Sequence, residues 1–366
     1  MPAASLERLR AGLVSLAHRD HDVRGFSLGA ARILRRAVPF DGVCVLTLDP
    51  ATLLPTGEVV ENGLPPAATA RMAEIEVGED DFNKFPVLAR AQRHAAGLSE
   101  STGGDLDRSL RHRELRRPNG FGDELRAALV SDSVTWGGIT LLRETGGADF
   151  TPADAGVVAA LSPQIAEGLR RVIVRGALSA VEPDQPESAG VVVLEGDNSI
   201  VQVNPAAEAW LADLLEDTVP GQRVPDVVTA VASRARSAAT GRAATDARAR
   251  VRTPSGRWLL VHGSTLGEGP GAQSVVILEP ARTPELAPLV ADAYGLTERE
   301  RVVTQLVAQG LGTSAIAGRL HLSGWTVQDH LKAIFEKTGT GTRGELVARL
   351  FFEHYAPRLT GASPPT

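Results

Sequence analysis

Cysteine is nearly absent. Cys44 stands alone among 366 residues, so no disulfide can form within the chain. It sits in the alternating run "DGVCVLTLD", where a small buried thiol is expected. No stretch reaches the apolar length of a membrane helix, and "MPAASLERLRAGL" lacks the basic start and continuous apolar segment of a signal peptide. The expected location is therefore cytoplasmic, with no membrane partner. No His, Cys or acidic cluster has metal-ligand spacing, and neither a P-loop nor a catalytic triad is legible. A receiver domain needs a lysine in an acidic pocket, but the only lysine outside the C-terminal region is Lys84, followed by Phe-Pro. The chain is not expected to be an enzyme, and no cofactor is evident.

Lysine is almost as scarce, three against thirty-five arginines. Two of the three, Lys332 and Lys337, share one short stretch, "SGWTVQDHLKAIFEKTG" (323–339). Net charge is −6, which argues against nucleic acid until its distribution is read. Residues 295–350 hold seven Lys/Arg and five Asp/Glu, a surplus of +2 that leaves −8 for the remainder. A mildly basic module on an acidic body suits a DNA-binding protein. With 43% hydrophobic and 22% charged residues the composition is globular, and the length fits two or three domains. The wealth of Ala, Arg and Gly matches a GC-rich bacterial genome.

Two segments read as linkers, "VEPDQPESAG" (181–190) and "ARTPELAPLVADAYG" (281–295). Before the first, "SLERLRAGLVSL" places Leu6, Leu9, Leu13 and Leu16 on one helical face after Ser5 as N-cap. A second helix pattern covers about 22–37. Strand patterns follow at "GVCVLTLD", "RAALVSD" and "WGGITLLRE", then a helix capped by Thr151, Pro152 and Asp154. Helices bracketing an antiparallel sheet in this order resemble a GAF domain over about residues 20–175. Asn83-Lys84 with "FGDE" (Phe121, Asp123, Glu124) is near the motif of cyclic-nucleotide-binding GAF domains, but the spacing differs, and a loop with a capped helix is the preferred reading. The arginine-rich "RSLRHRELRRPNG" (108–120) could bind an anion, but reads first as a solvated helix face paired with acids.

Between the linkers, "AGVVVLEGDNSIVQVNPAAEAWL" reads as two strands around a turn and a helix capped at Asn204-Pro205. "ARVRTPSGRWLLVHGSTL" is a hairpin, and "AQSVVILEP" a further strand. This resembles a PAS domain over 187–281. His262 could ligate haem, although a structural histidine is the preferred reading.

After the second linker, Thr297 and Glu300 have capping-box spacing before Val302, Val303, Leu306 and Val307, and Gly310 ends that helix. "TSAIAGRLHL" is a short second helix. Ser323 caps a third that ends at Gly339, and Thr342 with Glu345 opens a fourth. The residues Leu296-Thr297, Arg299-Glu300, Ile316-Ala317, Leu320, Ser323, Thr326-Val327, His330, Lys337, Gly339, Arg343 and Glu345-Leu346 closely resemble the LuxR/NarL (GerE-type) DNA-binding domain. A helical wheel places Val327, Leu331, Ile334 and Phe335 on one side of the third helix, with Trp325, Gln328, Asp329, Lys332 and Glu336 on the other.

The resemblance implies that this helix enters the major groove of double-stranded operator DNA. Contacts would come from Thr313, Ser314, Arg319, Ser323, Trp325, Thr326, Gln328, Asp329, Lys332, Lys337 and Arg343. Lys337 could equally serve the helix C-terminus through the dipole. Leu346, Val347, Leu350 and Phe351 would pair two copies, and Val158, Leu161, Ile165, Leu169 and Val172 offer a second stripe for a homodimer. Gln328 stands where the family often has Lys, Ser314-Ala315 where it has Lys-Glu, and Gly312 where it has a Ser cap. With Asp329 on the same face, phosphate affinity should be weaker than is typical.

The expected fold is thus multidomain α+β: a GAF-like sensor domain (1–180), a PAS-like domain (187–281) and an all-α four-helix helix-turn-helix domain (292–357). The expected function is a bacterial transcriptional regulator sensing an unknown small molecule or partner, with RNA polymerase a candidate partner. The alternative is a sensory scaffold whose helical module docks a protein rather than DNA.

Overall fold

The computed structural model of the protein describes residues 3–178, 188–215, 224–242, 246–267, 269 and 272–348. Two compact units emerge, residues 1–176 with 183–280, and residues 281–366 with 177–182.

The first unit opens with α1 (Ala3–Ala17) and α2 (Val23–Arg35). Ser5 does not cap α1, which starts earlier; its hydroxyl accepts from Arg8 instead. Asp22 caps α2 by accepting from the Gly25 N–H. Next come β1 (Gly42–Leu48), β2 (Pro55–Glu61), α3 (Thr69–Gly78), α4 (Phe85–Arg90), β3 (Ala95–Gly97), α5 (Leu98–Thr102), β4 (Phe121–Ser131), β5 (Val134–Glu144) and α6 (Pro152–Leu178). The strands form one antiparallel sheet in the order β2-β1-β5-β4-β3.

One face of this sheet is apolar, carrying Val43, Val45, Leu125, Ile139 and Leu141, and it meets α2 and α6, with α1 packed on α2. Contact is close: a Cβ added at Gly168 of α6 would lie 2.0 Å from the Phe26 ring of α2. Val158, Leu161, Ile165 and Leu169 are fully buried and Val172 nearly so. The stripe read as a pairing surface is therefore this domain's own core. A 27-residue helix lying over a sheet buries an apolar face just as a dimer would, and the pattern alone does not separate the two. Thr151 and Asp154 form the expected reciprocal cap.

The opposite face is charged. "FGDE" is no loop but the start of β4, and Glu124 is buried within it. Arg111 donates to Glu124 through Nε at 2.8 Å and to Asp81 through Nη1 at 3.0 Å; Arg116 donates to Glu124 through Nε at 3.2 Å. Arg111 and Arg116 are thus drawn inside, and only Arg108, Arg113 and Arg117 are exposed as the solvated face expected of 108–120. Burial alone would raise the Glu124 carboxyl, but the guanidinium charges of Arg111, Arg116 and Arg126 hold it well below the usual carboxylate range. Asp123 is taken up by the N–H groups of Ser99 and Phe150, and Lys84 by the Glu79 carbonyl.

The second half of the unit repeats the strand order. β6 (Gly190–Leu194), β7 (Ile200–Val203), α7 (Pro205–Leu215), α8 (Asp226–Ala239), β8 (Arg248–Arg252), β9 (Trp258–Leu266) and β10 (Gln273–Pro280) give an antiparallel sheet β7-β6-β10-β9-β8. Asn204 caps α7 as expected, accepting from the Ala207 N–H at 2.9 Å. α8, absent from the sequence reading, covers the sheet together with α7, over a core of Val192, Leu194, Trp210, Val228, Val231, Leu259, Val261, Val276 and Leu278. His262 lies 3.6 Å from Glu279 as a surface pair.

The two sheets are joined. Leu54, from the loop after β1, is fully buried in the core of the second sheet. Asp49 grips Arg250 through three bonds, from the backbone N–H at 2.7 Å, Nε at 2.9 Å and Nη2 at 2.7 Å. α3 packs on α8, where Arg236 reaches Glu74 and Asn198.

The second unit is helical: α9 (Thr283–Ala293), α10 (Glu298–Ala308), α11 (Thr313–Leu320), α12 (Gly324–Thr338) and α13 (Arg343–Val347). The expected linker at 281–295 is mostly α9. Pro284 occupies the first turn, where no N–H is needed, and Glu285 returns to the Arg282 N–H. Val290, Ala291 and Leu296 join Val303, Leu306, Val307, Ile316, Val327, Leu331 and Ile334 in one core. Leu346 is fully buried in it too, so it is not part of a free pairing stripe; Val347 is half-buried, and Leu350 and Phe351 lie outside the described residues.

Asp49→Ala should cost roughly 3–5 kcal/mol, because it removes the buried carboxylate that meets the Arg250 guanidinium through two of its nitrogens. Urea unfolding of the full chain reads this. A loss below about 1 kcal/mol would mean that the ion pair behaves as an exposed one.

Candidate nucleic-acid interface

α12 is a 15-residue helix fixed at both ends by its own sequence. Ser323 accepts from the Thr326 N–H at 3.0 Å, and Gly339 closes the helix in the left-handed region at φ 63°. The three-residue turn before it is set by His321, which holds φ 54° and ends α11. Arg299 of α10 donates to the Leu320 carbonyl at 3.0 Å and ties that turn to the bundle.

Val327, Leu331 and Ile334 are buried, Phe335 is half-buried against the same core, and His330 sits at its edge. Each buried aliphatic side chain contributes roughly 1.5–3 kcal/mol relative to exposure. Orientation follows from that burial: Trp325, Gln328, Asp329, Lys332 and Glu336 must face outward, and all five are exposed. None of them makes a hydrogen bond or ion pair with the described residues. Trp325 is 76% exposed, so its ring does not fold back on Leu322 or Arg319.

A groove of about 710 Å³ runs beside this face and gathers Thr313, Gln328, Asp329, Lys332 and Arg343. Its wall also includes Thr340 and Gly341, backbone-rich positions with no chemical signal in the sequence. Ser314 and Arg319 are exposed on α11, outside the groove lining. Ser323 and Thr326 are occupied with the cap, their hydroxyls 2.8 Å apart.

Two of the basic residues are engaged inside the bundle. Lys337 donates to the Glu300 carboxylate at 2.7 Å and to the Gly295 carbonyl at 3.0 Å. It therefore braces α12 against α10 and the end of α9, from its place in the last turn of α12. Arg343 donates to the Leu311 carbonyl at 2.8 Å and the Thr313 hydroxyl at 2.7 Å, fixing the start of α11 where Gly312 supplies no side-chain cap. Lys332 and Arg319 are left as the cations without a protein partner among the described residues of α11 and α12. Burial would raise the Glu300 carboxyl; the bonds from Lys337 and Thr297 outweigh it and hold the pKa below the usual value.

Residues 295–350 match the family model of bacterial regulatory proteins, luxR family. A protein of Aeromonas salmonicida, named as an HTH-type transcriptional regulator in the exeN 3' region, is 46% identical over 59 residues. The match takes in 16% of this chain and 30% of that protein, so the chain spans under a third of the curated relative's length. The C-terminal unit thus holds a luxR-family helix-turn-helix domain. Solved structures with some similarity include the VqsR LBD domain of Pseudomonas aeruginosa, 15% identical, covering 47% of this chain and 95% of that one at a TM-score of 0.31. The bacteriophytochrome RpBphP3 of R. palustris is 14% identical, covering 76% and 63% at a TM-score of 0.32. The Vibrio cholera VqmA–ligand–DNA complex is 16% identical, covering 44% and 80% at a TM-score of 0.21. Scores of this size do not establish a shared fold.

The depressed Glu300 pKa stabilises the bundle fully above the ordinary glutamate value of 4.5, and that contribution is lost as pH falls through the lower folded value. Glu300→Gln should therefore melt below the native chain at neutral pH. The gap should close on acidification, as read by calorimetry at stepped pH. A gap that persists at the acid end would mean that the charge is not what Lys337 holds.

Proposed function

We propose that the chain is a DNA-binding transcriptional regulator in which α12 enters the major groove of double-stranded operator DNA. The observation that carries this reading is the outward face of α12: Trp325, Gln328, Asp329 and Lys332 are exposed and unpartnered on a helix whose other side is core. Residues at 325, 328, 329 and 332 span two turns, about 10 Å along one side of the helix. A rigid helix with one polar side free is the element that reads base edges. Lysine there meets phosphate or guanine, glutamine can bond adenine, and the Trp325 ring suits a thymine methyl or a sugar. Asp329 and Glu336 oppose phosphate, so affinity rests on few cations.

In this reading the first unit is sensory rather than catalytic. The helix-flanked antiparallel sheets support a GAF-like domain followed by a PAS-like one, responding to a small molecule or partner. Two copies of the chain would match a two-fold operator. RNA polymerase is the partner such a regulator would address.

A gel shift on DNA upstream of the chain's own gene tests the reading, and failure to bind any duplex from a random pool would overturn it. Lys332→Ala should flatten the dependence of log K on log salt by about one unit of slope, on selected and random DNA alike. Trp325→Ala should cost on the order of 1–3 kcal/mol on the selected site and little on random DNA. An unchanged ratio of specific to random affinity would remove the ring from base readout.

A further inference from the structure

Asp329 is the residue of α12 whose surroundings account for it least. It is exposed, lines the groove beside the helix, and makes no hydrogen bond or ion pair with the described residues. Acids are common in the first turn of a helix, where the dipole favours them, but Asp329 is the sixth residue of α12 and the first turn holds none. Capping is already done by the Ser323 hydroxyl. Lys332 stands one turn further on, yet the two form no ion pair. An acid with none of these roles, on a helix read as meeting a polyanion, needs another.

Position on the helix limits what this carboxylate can meet. Its place around the axis is within about 45° of the centre line of the five outward residues. Along the axis it lies about 6 Å past Trp325 and about 4.5 Å short of Lys332. A helix about 10–12 Å across fills a major groove about 12 Å wide, so the middle of its inserted side faces base edges and the flanks reach phosphates. Aspartate has a single methylene and cannot extend to the rim. Glu336 is near the same line but sits in the last turn, beyond the N-terminal part of a recognition helix that meets bases.

The chemistry then selects the partner. An ionised carboxylate only accepts hydrogen bonds. Phosphate oxygens, guanine N7 and O6, and thymine O4 are acceptors too and repel it. Two donors remain in the major groove, adenine N6 and cytosine N4. Adenine N6 stands beside N7 of the same base, so the second carboxylate oxygen meets an acceptor there. Cytosine presents N4 and no acceptor on that edge. We propose that Asp329 is a specificity-determining residue: it accepts from the N4 amino group of one cytosine in the site read by each copy of α12, and its charge weakens binding to other sequences. This assignment rests on the reading of α12 as the helix in the groove and names a base that helix reads.

Selection from a random duplex pool tests it, using the full chain in its native form and with Asp329→Asn or Asp329→Ala, followed by sequencing and titration. No bond within the described residues is lost in either variant, so both should melt with the native chain. Asparagine keeps the shape of aspartate but gains a donor, and it pairs with adenine N6 and N7. One position that is cytosine in the native selection should therefore become adenine with Asp329→Asn and lose its preference with Asp329→Ala, while the other positions hold. On the native site Asp329→Ala should lose about tenfold in affinity relative to random DNA. Both variants should bind random DNA several-fold more tightly, because a charge opposed to phosphate is gone.

Unchanged base preferences in both variants, or weaker binding to random DNA, would overturn the role of Asp329 while leaving α12 as the reading helix. A fall in melting temperature in both would place the carboxylate in the bundle and overturn it as well. A native chain that selects no duplex would bring down the reading of α12 itself, and this assignment with it.

Discussion

A charge taken out of water must be met by its opposite, and the structure is organised around three carboxylates that obey this rule. Glu124 draws Arg111 and Arg116 into the first domain. Asp49 takes hold of Arg250 and joins the first sheet to the second. Glu300 anchors Lys337 and so sets the recognition helix against its bundle. None of these pairs adds much stability over a well-packed apolar alternative, because desolvation consumes most of the attraction. What they supply is a unique arrangement, since a shifted helix or domain would leave a buried charge alone. The outward side of α12, where Asp329, Lys332 and Glu336 are exposed and unpaired among the described residues, is the part assigned to DNA in the proposed reading.

Legibility followed locality. The helix-turn-helix domain could be read because its boundaries are written in adjacent residues: Thr297 with Glu300, Ser323 with Thr326, and a glycine at 339. α9 was hidden by Pro284 and Pro288, which read as linker although one sits in the first turn. α8 was overlooked because its buried side is built of Val, Ala, Ser and Thr, and an Ala-rich face gives a weak apolar period. Long-range pairing was not legible at all. Nothing near Arg111 or Arg116 in sequence announces Glu124 on a strand, nor does Lys337 announce Glu300, thirty-seven residues away. The expected pairing stripe on α6, and Leu346 of the other, became core for the same reason. An apolar face states that it will be buried, not by what.

The candidate interface was legible in its outline, and the bonds that brace it were not. Facing followed from the wheel, and the exposed residues are those it placed outward. Two of the basic residues expected at DNA, Lys337 and Arg343, also make bonds within the bundle. Arg343 substitutes for the cap that Gly312 lacks, by bonding the Thr313 hydroxyl and the Leu311 carbonyl. A departure from the family pattern at one position was thus answered by a partner thirty residues on, which a local reading cannot anticipate.

The openness of the Trp325 indole has an optical consequence. Of the four tryptophans, Trp136 and Trp210 are fully buried and Trp258 is partly so. A ring in water emits to the red of rings in a core and is reached first by a diffusing quencher such as iodide. The long-wavelength, quenchable fraction of the chain's own fluorescence therefore belongs chiefly to one residue on α12. Anything that covers that helix can be followed by light, without a label and without knowing in advance what the covering molecule is.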